Sequence, residues 1–337
     1  MHLFPYKDYY NTRLSVLCSV VIRHLMNTAK EKVQGNSLFA TTLVPLRIVV
    51  DNFEIWVNPT PQSYRFCRPL HIQYEKETAN LILTEKSQVE KQIHELTPIS
   101  VKTSQGHNVT FSCDLTLSVI DGKVLNIITG TSSQFRCPFC KITASQFNYL
   151  DLAQVAPTAK ETMRHGINPL HAWIRILEFL LHLSYKNDAL VRKWRINKNS
   201  KESEIGERRK IQVQTDLRSK LGLLVDVVKS NSGTTNDGNT AKTALSDKNQ
   251  AIFTDILGLE PWLVEGLHIV LVTISCEFAI DAKKFGNFCR TLAEKYVRFY
   301  SWHPMTVTVH KILMHGEEII ASSALPIGML SEQAAES

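Results

Sequence analysis

Two cysteines and two histidines in this sequence have the spacing of zinc ligands. Cys137 and Cys140 form a C-x2-C pair, and His310 and His315 form an H-x4-H pair. Structural zinc takes four such sulfur and nitrogen ligands. About half of the chain separates the two pairs, so they predict a long-range clip rather than a compact zinc finger. The same spacings also occur where no metal binds, and three further histidines are alternative ligands: His107, His165 and His171.

A carboxylate at a strand end suggests a second site, of a catalytic type. Asp121 follows the apolar–polar alternation of residues 109–120, and two-metal sites for phosphate chemistry draw carboxylates from separate elements. Asp114 is an odd number of residues away on the same strand, so it faces the other side of a sheet. The acidic residues that could join Asp121 are Glu317, Glu318, Glu332 and Glu336. By pattern alone, each is also an ordinary surface carboxylate.

A basic stretch over residues 186–220 has the composition of a nucleic-acid contact surface. Lysine and arginine neutralise DNA phosphates, and the whole chain carries a formal charge of +6. The predicted DNA contacts are Arg192, Lys193, Arg195, Arg208, Arg209 and Lys210. The sequence leaves the alternative open that these residues form the solvated face of an ordinary helix.

The composition is that of a globular protein with one or two domains, since 44% of the 337 residues are hydrophobic. The 7 cysteines, with one tight pair, favour a reducing compartment and a metal site over a disulfide scaffold. No apolar run predicts a membrane span, and residues 14–22 lack the flanks of a signal peptide. We therefore expect a protein of the cytosol or nucleus without membrane contact.

The elements that must position these residues change in character along the chain. Leu17, Val21 and Leu25 recur at helical spacing and predict a helix over residues 15–34. Strands are predicted over residues 41–50, 53–57, 68–77 and 109–120, with a short helix over 85–96. Later helices are predicted over residues 169–185, 243–257, 262–273 and 282–300. We divide the chain into a helical segment (1–36), a strand block (37–150), a helical region (151–302) and a last segment (303–337) with the histidine pair.

Several motifs, taken in order, resemble the catalytic core of the V(D)J recombinase catalytic subunit (recombination-activating protein 1) family, which includes transposases of the Transib and ProtoRAG kind. The motifs are VIDGKVLN, FRCPFC, TNDGNTAKTAL, VHKILMHGEEII and SEQAAES. The resemblance covers the chain from about residue 37 to its end. It implies an α+β fold, namely an RNase H-like mixed sheet with a large helical, zinc-bearing insertion.

The resemblance also implies roles for the candidate residues. It implies four ligands for structural zinc: Cys137, Cys140, His310 and His315. It implies a DNA-cleaving and strand-transfer site in which two aspartates and a glutamate hold Mg2+ or Mn2+. The second aspartate corresponds to Asp121 and the glutamate to Glu336, with Glu332 as the fallback.

The sequence departs from the family at the first of these aspartates. The helix predicted over residues 15–34 leads directly into the later strands, so we expect the first sheet strand and its aspartate to be missing. Asp8 and Asp51 are poor substitutes, because neither falls on such a strand. The relatives also continue their catalytic helix beyond the position of Ser337. We therefore expect a truncated or degenerate copy that cleaves DNA little or not at all.

The resemblance implies DNA as the partner, a nuclear location and a homodimer, with no small-molecule substrate. Two alternatives stay open. One is a domesticated, zinc-structured module that binds DNA or protein without enzymatic activity. The other is an unrelated zinc-structured helical protein whose motifs match by chance.

Overall fold

A computed structural model describes most of the chain, which is mixed α+β and forms two compact units. The described residues are 13–25, 38–50, 53–61, 63, 65–75, 78–117, 122–131, 133, 135–155, 160–229, 233–323 and 325–330. The first unit lies within Met1–Ile120 and Leu330–Ser337, and the second within Asp121–Met329. The cysteine pair, which we placed with the strand block, therefore belongs to the second, helical unit.

The first unit contains one mixed sheet and one helix. Its elements are β1 (Arg13–Leu25), β2 (Leu38–Val50), β3 (Phe53–Val57), β4 (Arg68–Tyr74), α1 (Ala79–His94), β5 (Ile99–Lys102) and β6 (Asn108–Leu117). The strand order is β3-β2-β1-β6-β5, and β4 also pairs with β2. The central strand β1 is antiparallel to β2 and parallel to β6, whereas β5 is antiparallel to β6.

The helix predicted over residues 15–34 is wrong where the structure describes it, because residues 13–25 form β1. The segment supports both periods, since its apolar residues also alternate: Leu14, Val16, Cys18, Val20 and Ile22. Valine and isoleucine lose side-chain freedom in a helix and fit a pleated strand, and β1 has a partner strand on each side. The expectation that no strand precedes residues 41–57 is therefore also wrong.

The other strand predictions are confirmed with shifted ends. β2, β3 and β4 cover the predicted segments, and β6 is described as far as Leu117. The helix predicted from Glu85 begins earlier, because Thr78 caps it by accepting a hydrogen bond from the Leu81 amide at 3.2 Å. The short edge strand β5 was not predicted.

Helix α1 joins the sheet through a buried carboxylate. Glu85 accepts a hydrogen bond from the Thr41 hydroxyl at 2.6 Å. Nδ1 of His71, on β4, lies 3.1 Å from the same carboxylate. These contacts satisfy a charge that would otherwise be costly to bury.

The second unit is built from short and medium helices. They are α2 (Gly122–Ile128), α3 (Leu150–Val155), α4 (Lys160–Met163), α5 (Pro169–Tyr185), α6 (Lys201–Leu221), α7 (Gly238–Ala244), α8 (Gln250–Leu257), α9 (Pro261–Ser275), α10 (Ala282–Phe299) and α11 (Val307–Ala321). The predicted helices over residues 169–185, 262–273 and 282–300 are confirmed, while the one over 243–257 is broken between α7 and α8. None of the helices in the described residues is long and apolar enough to cross a membrane.

Helix α5 forms the centre of this unit. Asn168 caps it by accepting hydrogen bonds from the amides of Leu170 and His171, and Pro169 occupies the first turn, where no amide is needed. Its apolar side chains cover most of the helix and are largely buried, except on one side where Arg175 is exposed. The helix packs against α6, α7, α8, α9 and α11, and so broad an apolar surface belongs in a core of this kind.

Two glycines allow α10 and α11 to approach closely. A side chain on Gly286 would collide with Glu317, and one on Gly316 would collide with the Phe285 ring. Each helix therefore supplies one glycine to the contact with the other. This close packing fixes the position of α11, which carries the histidine pair.

We predict that acid destabilises the helical unit through His303. Its ring is buried beside the Tyr296 hydroxyl, and burial lowers its pKa to about 3. An unfolded histidine takes up a proton near pH 6.5, so the unfolded state binds more protons between these two values. The free energy of unfolding contributed by His303 should therefore fall by up to about 1.4 kcal/mol per pH unit below pH 6.5.

Urea denaturation from pH 7.5 to pH 5 checks this expectation. The His303→Gln variant should show a shallower fall of stability than the unsubstituted protein, whereas His94→Gln, at an exposed position on α1, should not. Equal slopes for all three proteins would contradict a buried, neutral His303.

Candidate metal centre

Cys137 and Cys140 lie in a tight backbone turn of the helical unit. The Lys141 amide donates to the Cys137 carbonyl at 3.0 Å, and the Cys137 amide donates to the Ile142 carbonyl at 3.0 Å. Both cysteines are buried. The turn therefore brings two sulfur atoms together at its tip, as a zinc knuckle requires.

Lys141 holds this turn in an unusual conformation. Its φ of 62° lies in the left-handed region, which residues other than glycine rarely adopt. Its ammonium donates to the Thr129 carbonyl at 2.8 Å and to the Thr131 hydroxyl at 2.9 Å. These two hydrogen bonds tie the knuckle to the turn that follows α2. Spacing alone did not single out Lys141.

His310 and His315 extend from neighbouring turns of α11. Both are buried, with their ring centroids 5.4 Å apart. Nε2 of His310 lies 3.4 Å from the sulfur of Cys140, a contact between residues 170 positions apart in sequence. The fold therefore brings both predicted pairs into one cluster.

The four side chains fit a metal ion. One ligand atom from each, Cys137, Cys140, His310 and His315, lies within 4.8 Å of the other three. In tetrahedral zinc sites the ligand atoms are about 3.4–3.8 Å apart, so no pair in this set would have to close by more than about 1.4 Å. Nε2 of His315 is buried without a hydrogen-bond partner in the described residues. The cluster could thus hold a metal ion such as zinc.

The protonation of the cluster also suits a cation. Burial raises the pKa of the Cys137 thiol, but hydrogen bonds from Cys140, His310 and His315 outweigh it and lower that pKa. The hydrogen bond to Cys137, together with burial, raises the pKa of Cys140. Burial lowers the pKa of His310, which keeps its imidazole neutral. A thiolate and a neutral imidazole are the forms that bind zinc.

Aromatic rings enclose the imidazoles. The Phe147 ring stacks on His310 with centroids 4.2 Å apart and an interplanar angle of 15°. Phe139, inside the knuckle, meets His315 edge to face at 5.8 Å. An apolar shell excludes water and strengthens ligand binding. No local pattern singles out Phe147, because its partner His310 is distant along the chain.

The alternative ligands do not join the cluster. Within the described part of the chain, Cys137, Cys140, His310 and His315 are the only group of three or more suitable side chains. His107, His165 and His171 are therefore not part of it. The candidate catalytic residues Asp121, Glu332 and Glu336 lie outside the described residues.

The structure describes three other acidic candidates, one on β6 and two on α11. Asp114 is exposed on β6. Glu317 packs against Gly286 of α10, and Glu318 is exposed on α11.

The side chains predicted to contact DNA differ in whether other protein groups already engage them. Lys193 forms an ion pair with Glu202 at 3.0 Å. Arg209 donates to the Ile256 carbonyl near the end of α8 at 2.7 Å. Arg195 lies over the Trp194 ring, with its Cζ atom 4.4 Å from the ring centroid. The remaining three, Arg192, Arg208 and Lys210, are exposed or half-buried.

Comparison with known proteins adds no identification. A scan against protein-family models finds no match to this chain, and a search of curated proteins finds none.

We predict that the purified chain carries about one zinc ion, held by these four ligands. The Cys137→Ser and His315→Ala variants should lose the ion, and their melting temperature should fall by roughly 10 °C. Elemental analysis and calorimetry measure both effects. The controls Cys276→Ser and His268→Ala change a cysteine and a histidine outside the cluster and should keep the metal. Zinc retained by both cluster variants would contradict the assignment.

We predict that Lys141→Met weakens zinc binding more than Lys141→Gly does. Both variants lose the two hydrogen bonds of the ammonium, but only glycine relieves the left-handed strain. The difference should be on the order of fivefold in affinity. Competition with a chromophoric chelator measures it, and equal affinities would show that the turn is not strained.

Proposed function

We propose that this chain is a transposase-derived DNA-binding protein whose helical unit is held together by structural zinc. The observation that carries the proposal is the buried cluster of Cys137, Cys140, His310 and His315. The resemblance to the recombinase family implies these four ligands as a set.

The first unit supports an RNase H-like sheet as the fold of this proposal. Strands β1, β2 and β3 form an antiparallel series, and β6 joins β1 in parallel. Such a mixed sheet, with the parallel strand beside the first strand, is the arrangement expected of that fold. The antiparallel edge strand β5 is a local departure from it.

The chemistry that we propose is impaired DNA cleavage. In the family, two divalent ions activate a water or a DNA hydroxyl and stabilise the leaving oxygen. The first aspartate of that site belongs on the first strand, and β1 contains no aspartate. Asp121 and Glu336 would then have to hold both ions without it. Mg2+ demands nearly octahedral coordination, so such a pair would bind it weakly.

DNA binding does not require that site. It depends on many lysine and arginine contacts with phosphates, each of which contributes a small part. The proposal includes a nuclear location and a homodimer, as in the family. The lack of an aspartate on β1 favours a second candidate function, a domesticated zinc-structured module that binds DNA or protein without catalysis.

We predict that the chain binds duplex DNA with a steep dependence on salt and does not nick it. Fluorescence anisotropy from 50 to 200 mM salt measures binding, and the affinity should fall by on the order of a hundredfold or more. Plasmid relaxation with Mg2+ or Mn2+ measures nicking, with Asp121→Ala as the test variant and Asp114→Ala as its control.

Two results would contradict the proposal in different ways. Metal-dependent nicking that Asp121→Ala abolishes and Asp114→Ala spares would show that the cleavage site is intact. An affinity that is unmeasurable, or that does not change with salt, would exclude phosphate binding and leave protein binding as the function of the module.

A further inference from the structure

The solvent-facing side of α10 is strongly basic. It carries five exposed cations: Lys283, Lys284, Arg290, Lys295 and Arg298. Glu294 is the single exposed carboxylate within the helix. The opposite side is apolar and buried against the rest of the unit. Its burial accounts for the helical spacing of the apolar residues, but not for the charges on the exposed side.

Most of these five cations form no ion pair with any described residue. Lys284 lies 3.6 Å from Asp281, the residue that caps the helix. Within the described residues, Lys283, Arg290 and Arg298 form no ion pair within 4.0 Å. The basic stretch before and within α6 is different, because Lys193 and Arg209 there are already engaged with Glu202 and a backbone carbonyl.

Aromatic rings accompany the cations on the same side of α10. Phe288 and Phe299 keep 38% and 49% of their surface exposed. Lys295 lies over the Trp262 ring, 4.5 Å from its centroid, and the Phe299 ring lies 5.4 Å from the Trp262 ring. Exposed rings beside cations are suited to stack on bases while the cations contact phosphates.

We infer that this face of α10 binds the phosphate backbone of DNA, an inference that rests on the proposed DNA-binding function. From Lys283 to Arg298 the helix rises by about 22 Å, so its cations require an extended polyanion rather than a small anion. Exposed Asn287 and Thr291 lie among them and offer hydrogen bonds to phosphate oxygens. An acidic peptide would supply negative charge but no bases for Phe288 and Phe299.

The test reverses three of the charges that form no ion pair with a described residue. The full-length variant Lys283→Glu/Arg290→Glu/Arg298→Glu is compared with Arg208→Glu/Arg218→Glu/Lys220→Glu, which makes the same change at exposed positions of α6. Anisotropy is measured on duplex and on single-stranded DNA over a range of salt, with zinc content and melting temperature as checks of folding. A Phe288→Ala variant separates stacking on bases from charge.

The α10 variant should lose affinity by on the order of tenfold or more, and its salt slope should fall by about 3, more than in the α6 variant. A loss on duplex DNA alone identifies duplex as the ligand. If the α10 variant loses more affinity for single-stranded than for duplex DNA, single-stranded DNA is the ligand. Phe288→Ala should then bind single-stranded DNA about fivefold more weakly than the unsubstituted protein.

Other results would overturn the inference. If the folded α10 variant binds both DNAs as well as the unsubstituted protein does, the surface lies elsewhere and the proposed function stands. If polyglutamate competes as well as DNA of equal charge, the face binds acidic protein instead. If the unsubstituted protein binds no DNA, the proposed function fails and this inference fails with it. Should the α10 variant lose its zinc or melt early, single reversals at Lys283, Arg290 and Arg298 replace it.

Discussion

The helical unit depends on four polar side chains that are buried together. Two thiols and two imidazoles, from segments 170 residues apart, are buried at one site. Nε2 of His310 contacts the Cys140 sulfur, whereas Nε2 of His315 lacks a hydrogen-bond partner among the described residues. Burying such groups unpaired costs free energy. A bound cation would turn this cost into stabilisation, because it would ligate all four side chains and close a very long loop.

Helix α11 links the cluster to α10 and to its basic surface. The cluster holds α11 against the knuckle, and Phe147 and Phe139 enclose its imidazoles. Gly286 and Gly316 then allow α10 to lie directly against α11. The side of α10 that faces away carries the five exposed cations. One helix pair therefore connects the metal centre with the basic surface, and loosening α11 would also displace that surface.

Local patterns predicted the metal ligands but could not predict their surroundings. The ligand spacings are short and carry their own chemical meaning, whereas the stacking of Phe147 on His310 joins distant segments. β1 was mistaken for a helix because its apolar residues satisfy both periods, and only its pairing with β2 and β6 decides between them. Arg209 is a predicted DNA contact, and its guanidinium also donates to the Ile256 carbonyl near the end of α8. Whether a lysine or arginine side chain is free to contact DNA depends on its neighbours in the fold, which the sequence does not reveal.

We infer that Cys137, Cys140, His310 and His315 together ligate one metal ion. X-ray absorption spectroscopy at the zinc edge of the purified protein can test this ligand set, because it counts sulfur and nitrogen ligands separately. We expect two sulfurs at about 2.3 Å and two nitrogens at about 2.0–2.1 Å, with the outer-shell signal of imidazole. A shell of nitrogen and oxygen alone, or of four sulfurs, would contradict this ligand set.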